Sequence, residues 1–269
     1  MKTCFLSIDV EKREEDKSFE GVENLYNLLN VFKKHNVNAT LFVTGEVLEK
    51  YPDLVKRWSE NFEIACHNYN HAMLDSVDLT SREKQLKDFV VLYENVLKAR
   101  PNGFRAPRNV IDNEQFPLLK AYSFKYDSSV FSRYPWPIRK YDGYKGRAPI
   151  LPYYPSKKNY LKKGKLDILE IPESPITFFG FPVLNLPVVA TWIRKWGGWV
   201  YKLVFFFLRP RYISFNMHSW DGVEFEGKSC INSGKYYLNQ LDQMIKLLLK
   251  KGYTFKTGKQ IYEEFSKNR

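Results

Sequence analysis

Two histidines four residues apart, in His67-Asn68-Tyr69-Asn70-His71, are the strongest local chemical signal in this sequence. Imidazoles at that spacing reach one metal ion when the segment is helical or tightly turned. The chain has only 4 histidines, and this pair uses two of them. Other reactive side chains fall at the ends of short apolar runs. Asp9 follows Cys4–Ile8, Arg105 ends the Gly103–Ala106 run, Asp127 is near the end of Phe124–Ser128, and His218 closes Tyr212–Met217. A carboxylate at the end of an apolar strand must be partnered or functional. Each residue also has a plainer reading. The two histidines would suit a surface loop, and Asp9 would suit a helix N-cap or a loop. Arg105 could simply pair with a buried carboxylate, which would hold that carboxylate ionised. His218 could be a satisfied core histidine, and Asp127 an ordinary turn residue.

These side chains act together only if the chain between them brings the run ends to one place. Short apolar runs alternate with helical periods. Strands are expected at Cys4–Ile8, Ala39–Val43, Phe62–Cys66, Gly103–Ala106, Phe124–Ser128, Leu166–Ile171, Tyr212–Met217 and Tyr253–Phe255. Between them, Val22–Lys34 has Val22, Leu25, Leu28, Leu29 and Phe32 on one helical face. Glu46–Asn61, Asp112–Tyr122 and Lys235–Lys251 also read as helices. Thr80-Ser81-Arg82-Glu83 reads as a capping box opening a helix to about Lys98. Repeated βα units imply a parallel sheet with helices outside. The expected α/β fold is an irregular (β/α) barrel of seven or eight parallel strands, with an open doubly wound sheet as the runner-up. In such a barrel every strand's C-terminal end opens on one face, so Asp9, His67, His71, Arg105, Asp127 and His218 would converge there.

The length of 269 residues suits one barrel domain over 1–269, with a loop insertion at about 132–164 and a basic, aromatic segment at about 174–220. A hydrophobic share of 44% excludes wholesale disorder, and 16% aromatics suit a cleft that grips rings. The net charge of +12 is uneven. Residues 1–134 hold 19 basic and 20 acidic side chains, whereas 135–269 hold 23 and 10. The second half therefore faces something anionic: nucleic acid, anionic lipid or a phosphorylated sugar. Cys4, Cys66 and Cys230 are too few and scattered for a disulfide framework, which points to a reducing compartment. The first apolar run is short and ends in an acid, unlike a signal peptide. The uncharged stretch Ser174–Ile193 contains Pro175, Pro182 and Pro187 and does not read as a transmembrane helix. The expected location is the cytoplasm, with association at the inner membrane face as a further option.

The ordered set of motifs resembles the polysaccharide deacetylase family, also called the NodB-homology or carbohydrate esterase 4 family. Ser7-Ile8-Asp9-Val10 resembles its T-F-D-D motif, and His67–His71 resembles H-[ST]-x-x-H except at the second place. Arg105-Ala106-Pro107-Arg108 resembles R-x-P-Y, and Asn216-Met217-His218 resembles L-x-H. Lys125–Phe131 is similar to a segment of many members, and the resemblance runs from about Thr3 to Trp220. It implies an irregular (β/α) barrel that removes acetyl groups from N-acetylated amino sugars. It implies a divalent metal on His67 and His71, Asp9 as base, and Arg105 holding Asp9 ionised. His218 is implied as the general acid, with Asp127 orienting or tuning it. The Arg108 backbone N–H after Pro107 is implied at the oxyanion, and Pro107 and Trp220 at the substrate.

The sequence departs from the family at Val10, which stands where the second aspartate, a metal ligand, is expected. Side chains two apart on a strand share a face, so Glu11 beside Asp9 is the proposed third ligand. Otherwise it is one more charge in the acidic stretch Glu11–Asp16. Zinc is the expected ion, and nickel, cobalt and iron also suit imidazole. The expected partner is a carbohydrate substrate, with an anionic or lipid-linked form as an option. Between Glu173 and Asp221 there is no acidic residue, while Trp192, Trp196, Trp199 and Leu203 fall at helical spacing among Arg194, Lys195 and Lys202. That pattern suits an interfacial helix on an anionic membrane and equally a barrel helix with a basic rim. No zinc-finger, helix-turn-helix or RRM signature is present, so nucleic acid is not expected. Two other functions stay open: hydrolysis of a non-sugar amide or cyclic imide, and non-catalytic glycan binding.

Overall fold

The computed structural model describes residues 2–133, 148–178, 181–226 and 230–267. The strands are β1 (Lys2–Val10), β2 (Thr40–Val43), β3 (Glu63–Cys66), β4 (Gly103–Phe104), β5 (Tyr126–Asp127), β6 (Leu169–Glu170), β7 (Ile176–Phe178), β8 (Phe181–Leu186), β9 (Val188–Val189), β10 (Tyr212–His218) and β11 (Tyr253–Lys256). The helices are α1 (Glu20–Glu23), α2 (Tyr26–Lys34), α3 (Gly45–Lys50), α4 (Pro52–Ser59), α5 (Leu79–Leu97), α6 (Gln115–Ala121), α7 (Ala190–Trp196), α8 (Gly198–Phe207), α9 (Lys235–Lys250) and α10 (Gly258–Ser266).

The main sheet is ordered β6-β5-β4-β3-β2-β1-β10-β9, with β11 paired to the first half of β1, and every pairing is parallel. It forms a curled half-barrel. Among the described residues no pairing joins its two ends, β6 and β9. The expected (β/α) barrel is therefore present in an open form.

Strand alternation decides what the central strand carries. Cys4, Leu6, Ile8 and Val10 of β1 pack in the large core beneath the helices. Phe5 joins a smaller inner cluster with Phe42, Ala65, Tyr126, Leu169 and Ile171. Both faces of β1 are buried, which is why it reads as one continuous apolar run. The period of two then puts Ser7, Asp9 and Glu11 on the inner face and Val10 among the helices.

Several local expectations shift for identifiable reasons. The helix expected over 46–61 is two, α3 and α4, because Pro52 cannot continue a helix and instead opens the second one. The helix expected over 22–34 is likewise α1 and α2. The capping box at Thr80–Glu83 is not the start of α5. Asp78 caps it, accepting from the Ser81 N–H at 2.7 Å, and the helix begins at Leu79. Trp192 and Trp199 lie on different helices, because Gly197 breaks the run with φ of 78°. The antiparallel β7–β8 hairpin is unexpected from the sequence pattern. The loop expected over 132–164 lies partly outside the described residues, which resume at Ala148. All three cysteines are free and buried. Among the described residues no helix is long and apolar enough to cross a membrane.

Candidate metal and active site

The strand register assembles the site. Asp9 lies opposite His218 on β10. Cys66 pairs with Phe104, so His67 and Arg105 leave neighbouring strands together. These ends open into a cleft of ≈ 450 Å³, lined by Asp9, Glu11, His67, His71, Glu173 and His218, among others. Aromatic walls come from Phe131, Trp192 and Trp220.

The two histidines converge through a tight turn rather than a helix. Asn68 and His71 have φ of 62° and 58°, the left-handed region. The start of α3 holds the turn, with Gly45 N–H donating to Asn68 O and Glu46 N–H to Tyr69 O, each at 3.0 Å. A Cβ at Gly45 would stand 2.4 Å from the Tyr69 ring, so only glycine admits this approach. His67 Nδ1 lies 2.9 Å from Arg105 O. Donating its proton there leaves Nε2 as a free ligand atom. His71 Nδ1 faces Glu14 Oε1 at 3.4 Å, which turns its Nε2 inward in the same way.

Glu11 completes the cluster. Ligand atoms of Glu11, His67 and His71 all lie within 4.8 Å of one another. Glu11 Oε2 stands 3.5 Å from His67 Nε2 and against His71 Nε2. That oxygen is buried, with the two imidazole nitrogens as its close neighbours. A buried carboxylate oxygen facing two imidazole nitrogens is a donor set a divalent cation satisfies. The residues present therefore fit the implied metal, with Glu11 offering a carboxylate oxygen where Val10 has no ligand atom. Burial pushes His67 below the usual histidine value. Burial also acts to lower His71, but Glu11 and Glu14 override it and raise His71 to about 9.

Beside this cluster lies a second network, centred on the fully buried Arg105. Its Nη1 donates to Asp9 Oδ1 at 2.6 Å, and to Ser7 Oγ and Asn216 Oδ1 at 3.1 Å each. Nε and Nη2 donate to Ser128 O and Oγ at 2.9 Å, and the guanidinium sits 4.0 Å from the Phe42 ring centroid. Asn216 bridges two carboxylates, donating to Asp9 Oδ2 at 3.2 Å and Glu173 Oε1 at 3.1 Å. Burial alone would raise the Asp9 carboxyl. Arg105, then His67 and His218, overrides it and carries Asp9 down to about 2. Glu173 behaves oppositely: burial outweighs Arg105 at 3.3 Å and pushes it up to about 7.

His218 stands on the far wall, partly exposed and stacked on Trp220 at 4.4 Å. Its Nδ1 lies 3.8 Å from Asp221 Oδ2, which also accepts from the His218 backbone N–H at 2.7 Å. Asp221 is buried against Arg194 at 3.0 Å. Arg108 lines the cleft after Pro107, held at φ of 51°.

Asp127 is not brought to His218. It accepts from Ser129 Oγ at 2.6 Å and lies beside Glu170, its register partner on β6. Burial pushes both carboxyls up, and Glu170 further. The partner of His218 is Asp221 instead, three residues along the same turn. Sequence reasoning also missed Glu173, Asn216, Ser7 and Glu14. Asn216 and Ser7 could have been found from strand alternation, since each is two residues from a named site residue. Glu173 carried no such signal.

Comparison with known proteins fits this geometry. The sequence profile named Polysaccharide deacetylase matches residues 4–126, which include Asp9, Glu11, His67, His71 and Arg105. Over those residues the chain is similar to the polysaccharide deacetylase family. The chain is similar to the peptidoglycan deacetylase of Helicobacter pylori, 26% identical over 201 residues, or 68% of each chain. The matches span 34% to 68% of the length of the first curated relatives. Among solved structures, one attributed to a Mycobacterium smegmatis polysaccharide deacetylase superposes with a TM-score of 0.68 at 18% identity, covering 99% of this chain and 91% of that one. A carbohydrate esterase 4 pseudoenzyme of Bacillus anthracis superposes at 0.59 with 16% identity, covering 97% and 65%. These two likenesses establish the shared fold.

Proposed function

We propose that the chain is a metal-dependent deacetylase of an N-acetylated amino sugar, within a glycan or a lipid- or nucleotide-linked glycan precursor. The observation that carries this reading is the Glu11, His67 and His71 donor set, sharing one cleft with the Asp9–Arg105 pair and His218. Glu11, His67 and His71 would hold the cation, zinc by the chemistry of the set, which supplies Lewis acidity to the attacking water and the amide carbonyl.

The rest is done by the chain's own side chains. Water attacks the acetamide carbonyl, the C–N bond breaks, and acetate and a free amine leave. Asp9 takes the proton of the attacking water at its carboxylate, which Arg105 keeps ionised across the neutral range. His218 gives a proton to the departing nitrogen, its ring fixed by Trp220 stacking and by Asp221. The Arg108 backbone N–H is assigned to the developing oxyanion. Trp192, Trp220 and Phe131 offer the faces on which a sugar ring rests. The similarity to the H. pylori peptidoglycan deacetylase favours a cell-wall glycan or its precursor as substrate.

The test measures acetate released from N-acetylglucosamine oligomers and peptidoglycan fragments by zinc-loaded protein, beside Asp9→Asn. The wild type is expected to release acetate. The variant should keep its metal and lose roughly 10²–10⁴-fold in rate. A wild type that binds metal and glycan yet releases no acetate would instead be a glycan-binding relative. Turnover confined to a non-sugar amide or imide would overturn the substrate assignment.

A further inference from the structure

The outer face of α8 is unlike a soluble helix surface. Tyr201, Val204 and Phe205 face the core, as the amphipathic period requires. The opposite face carries Trp199, Phe206 and Phe207, exposed by 66%, 68% and 70%, with Leu203 between them. Trp196 extends this apolar surface across the Gly197 break and is itself exposed. Single exposed apolar residues are ordinary, but five large ones on one short segment form a contiguous patch of the kind that marks an interaction surface.

The surroundings of the patch identify its occupant. Lys195, Lys202, Arg209 and Arg211 are exposed on the same segment, and no acidic residue occurs between Glu173 and Asp221. Lys251, from beyond α9, places its Nζ 5.9 Å from the Phe206 ring centroid. Arg209 and Arg211, just past the end of α8, line a groove of ≈ 360 Å³ with Leu151. Large exposed aromatic residues on one helix face, edged by cations and followed by a basic groove, match a bilayer interface with anionic headgroups. A second copy of the chain suits the patch poorly, because a self-complementary contact would set these cations against their own equivalents. The ten residues of α8 are too few to span a bilayer. The helix would therefore lie in the headgroup plane.

The patch also adjoins the cleft. Trp196 packs edge-on against Trp192 at 4.3 Å, and Trp192 forms part of the cleft wall. We infer that the α8 face, from Trp196 to Phe207 with its basic rim, is a docking surface for an anionic lipid bilayer, holding the cleft at the membrane. This inference stands apart from the catalytic reading, and its test requires no turnover.

The experiment is flotation of the full chain with vesicles of phosphatidylcholine and phosphatidylglycerol, against phosphatidylcholine alone. The wild type should float with anionic vesicles and much less with neutral ones, and added salt should weaken the association. Trp199→Ser/Phe206→Ser/Phe207→Ser, and separately Lys202→Glu/Arg209→Glu, should each weaken partition at least tenfold. All these side chains are exposed, and unchanged circular dichroism and thermal midpoints would show both variants folded. Absence of wild-type flotation with anionic vesicles overturns the inference. Partition that both variants leave unchanged does the same. Equal partition to neutral vesicles overturns the anionic assignment. A wild-type dimer by light scattering that the triple variant converts to monomer, without vesicle binding, would assign the patch to self-association instead.

Discussion

Glu173→Gln isolates one buried carboxyl. Glu173 sits between Asn216 Nδ2 at 3.1 Å and Arg105 Nε at 3.3 Å, and burial pushes it from an ordinary 4.5 to about 7. The folded protein therefore holds this proton more tightly than the unfolded chain does. The sign follows directly. Below about pH 4.5 both states are protonated, and the group's stabilising contribution is fully present. Between 4.5 and 7 only the folded state keeps the proton, so stability falls as pH rises. Above 7 the loss is complete. At about 1.4 kcal/mol per tenfold change in proton affinity, the full swing is about 3 kcal/mol. Glutamine keeps the shape and the acceptor for Asn216 but has no proton to lose. Urea melts of both proteins from pH 4.5 to 8, with chelator throughout, would measure it. Titration of His67 and His71 is common to both proteins and cancels in their difference. Wild-type stability minus variant stability should fall by about 3 kcal/mol across the range. A difference that varies by less than about 1 kcal/mol would refute the reasoning, because Glu173 would then be ionised throughout despite its burial.

Four further outcomes are expected. Arg105→Met leaves Asp9 and Glu173 buried without their cation, and should cost about 3–5 kcal/mol in urea melts at pH 7; a loss under about 1 kcal/mol would contradict the hub role. Zinc should raise the thermal midpoint of the wild type by mass action, but not that of His71→Ala or Glu11→Ala; a Glu11→Ala shift equal to wild type would remove Glu11 from the metal set. Asp127→Asn should leave the turnover number within about threefold of wild type, because its carboxyl faces Ser129 and Glu170; a hundredfold loss would restore it to the catalytic group. Asp221→Asn should reduce turnover while leaving metal content unchanged, since Asp221 acts through His218 and Arg194; a shift in the basic limb of the pH–rate profile would report the altered histidine.

The alternation of β1 was legible because a strand buried on both faces still obeys a period of two. Asp9 and Glu11 had to share a face, and Val10 had to turn away. The His67–His71 spacing was legible in the same local sense. Its turn was not, because that depends on Gly45 and the start of α3 meeting residues 68 and 69 in space. Asp127 shows the limit more sharply. Its position near a strand end was read correctly, but register sets it against Glu170, and no local pattern reports register between β5 and β6.

The βα order, the inner-face placement of Asp9 and Glu11, and a motif order resembling the polysaccharide deacetylase family are all legible in the linear chain. Those follow from periodicity and from short-range spacing, which a linear chain displays directly. That Glu11 joins two histidines, that Asp221 rather than Asp127 attends His218, and that Glu173 and Asn216 complete the Arg105 network emerges from the fold. Each depends on which strands lie side by side and where each one stops. Parallel strands are joined through long crossovers, so the residues that touch across the cleft lie as far as about two hundred positions apart in sequence.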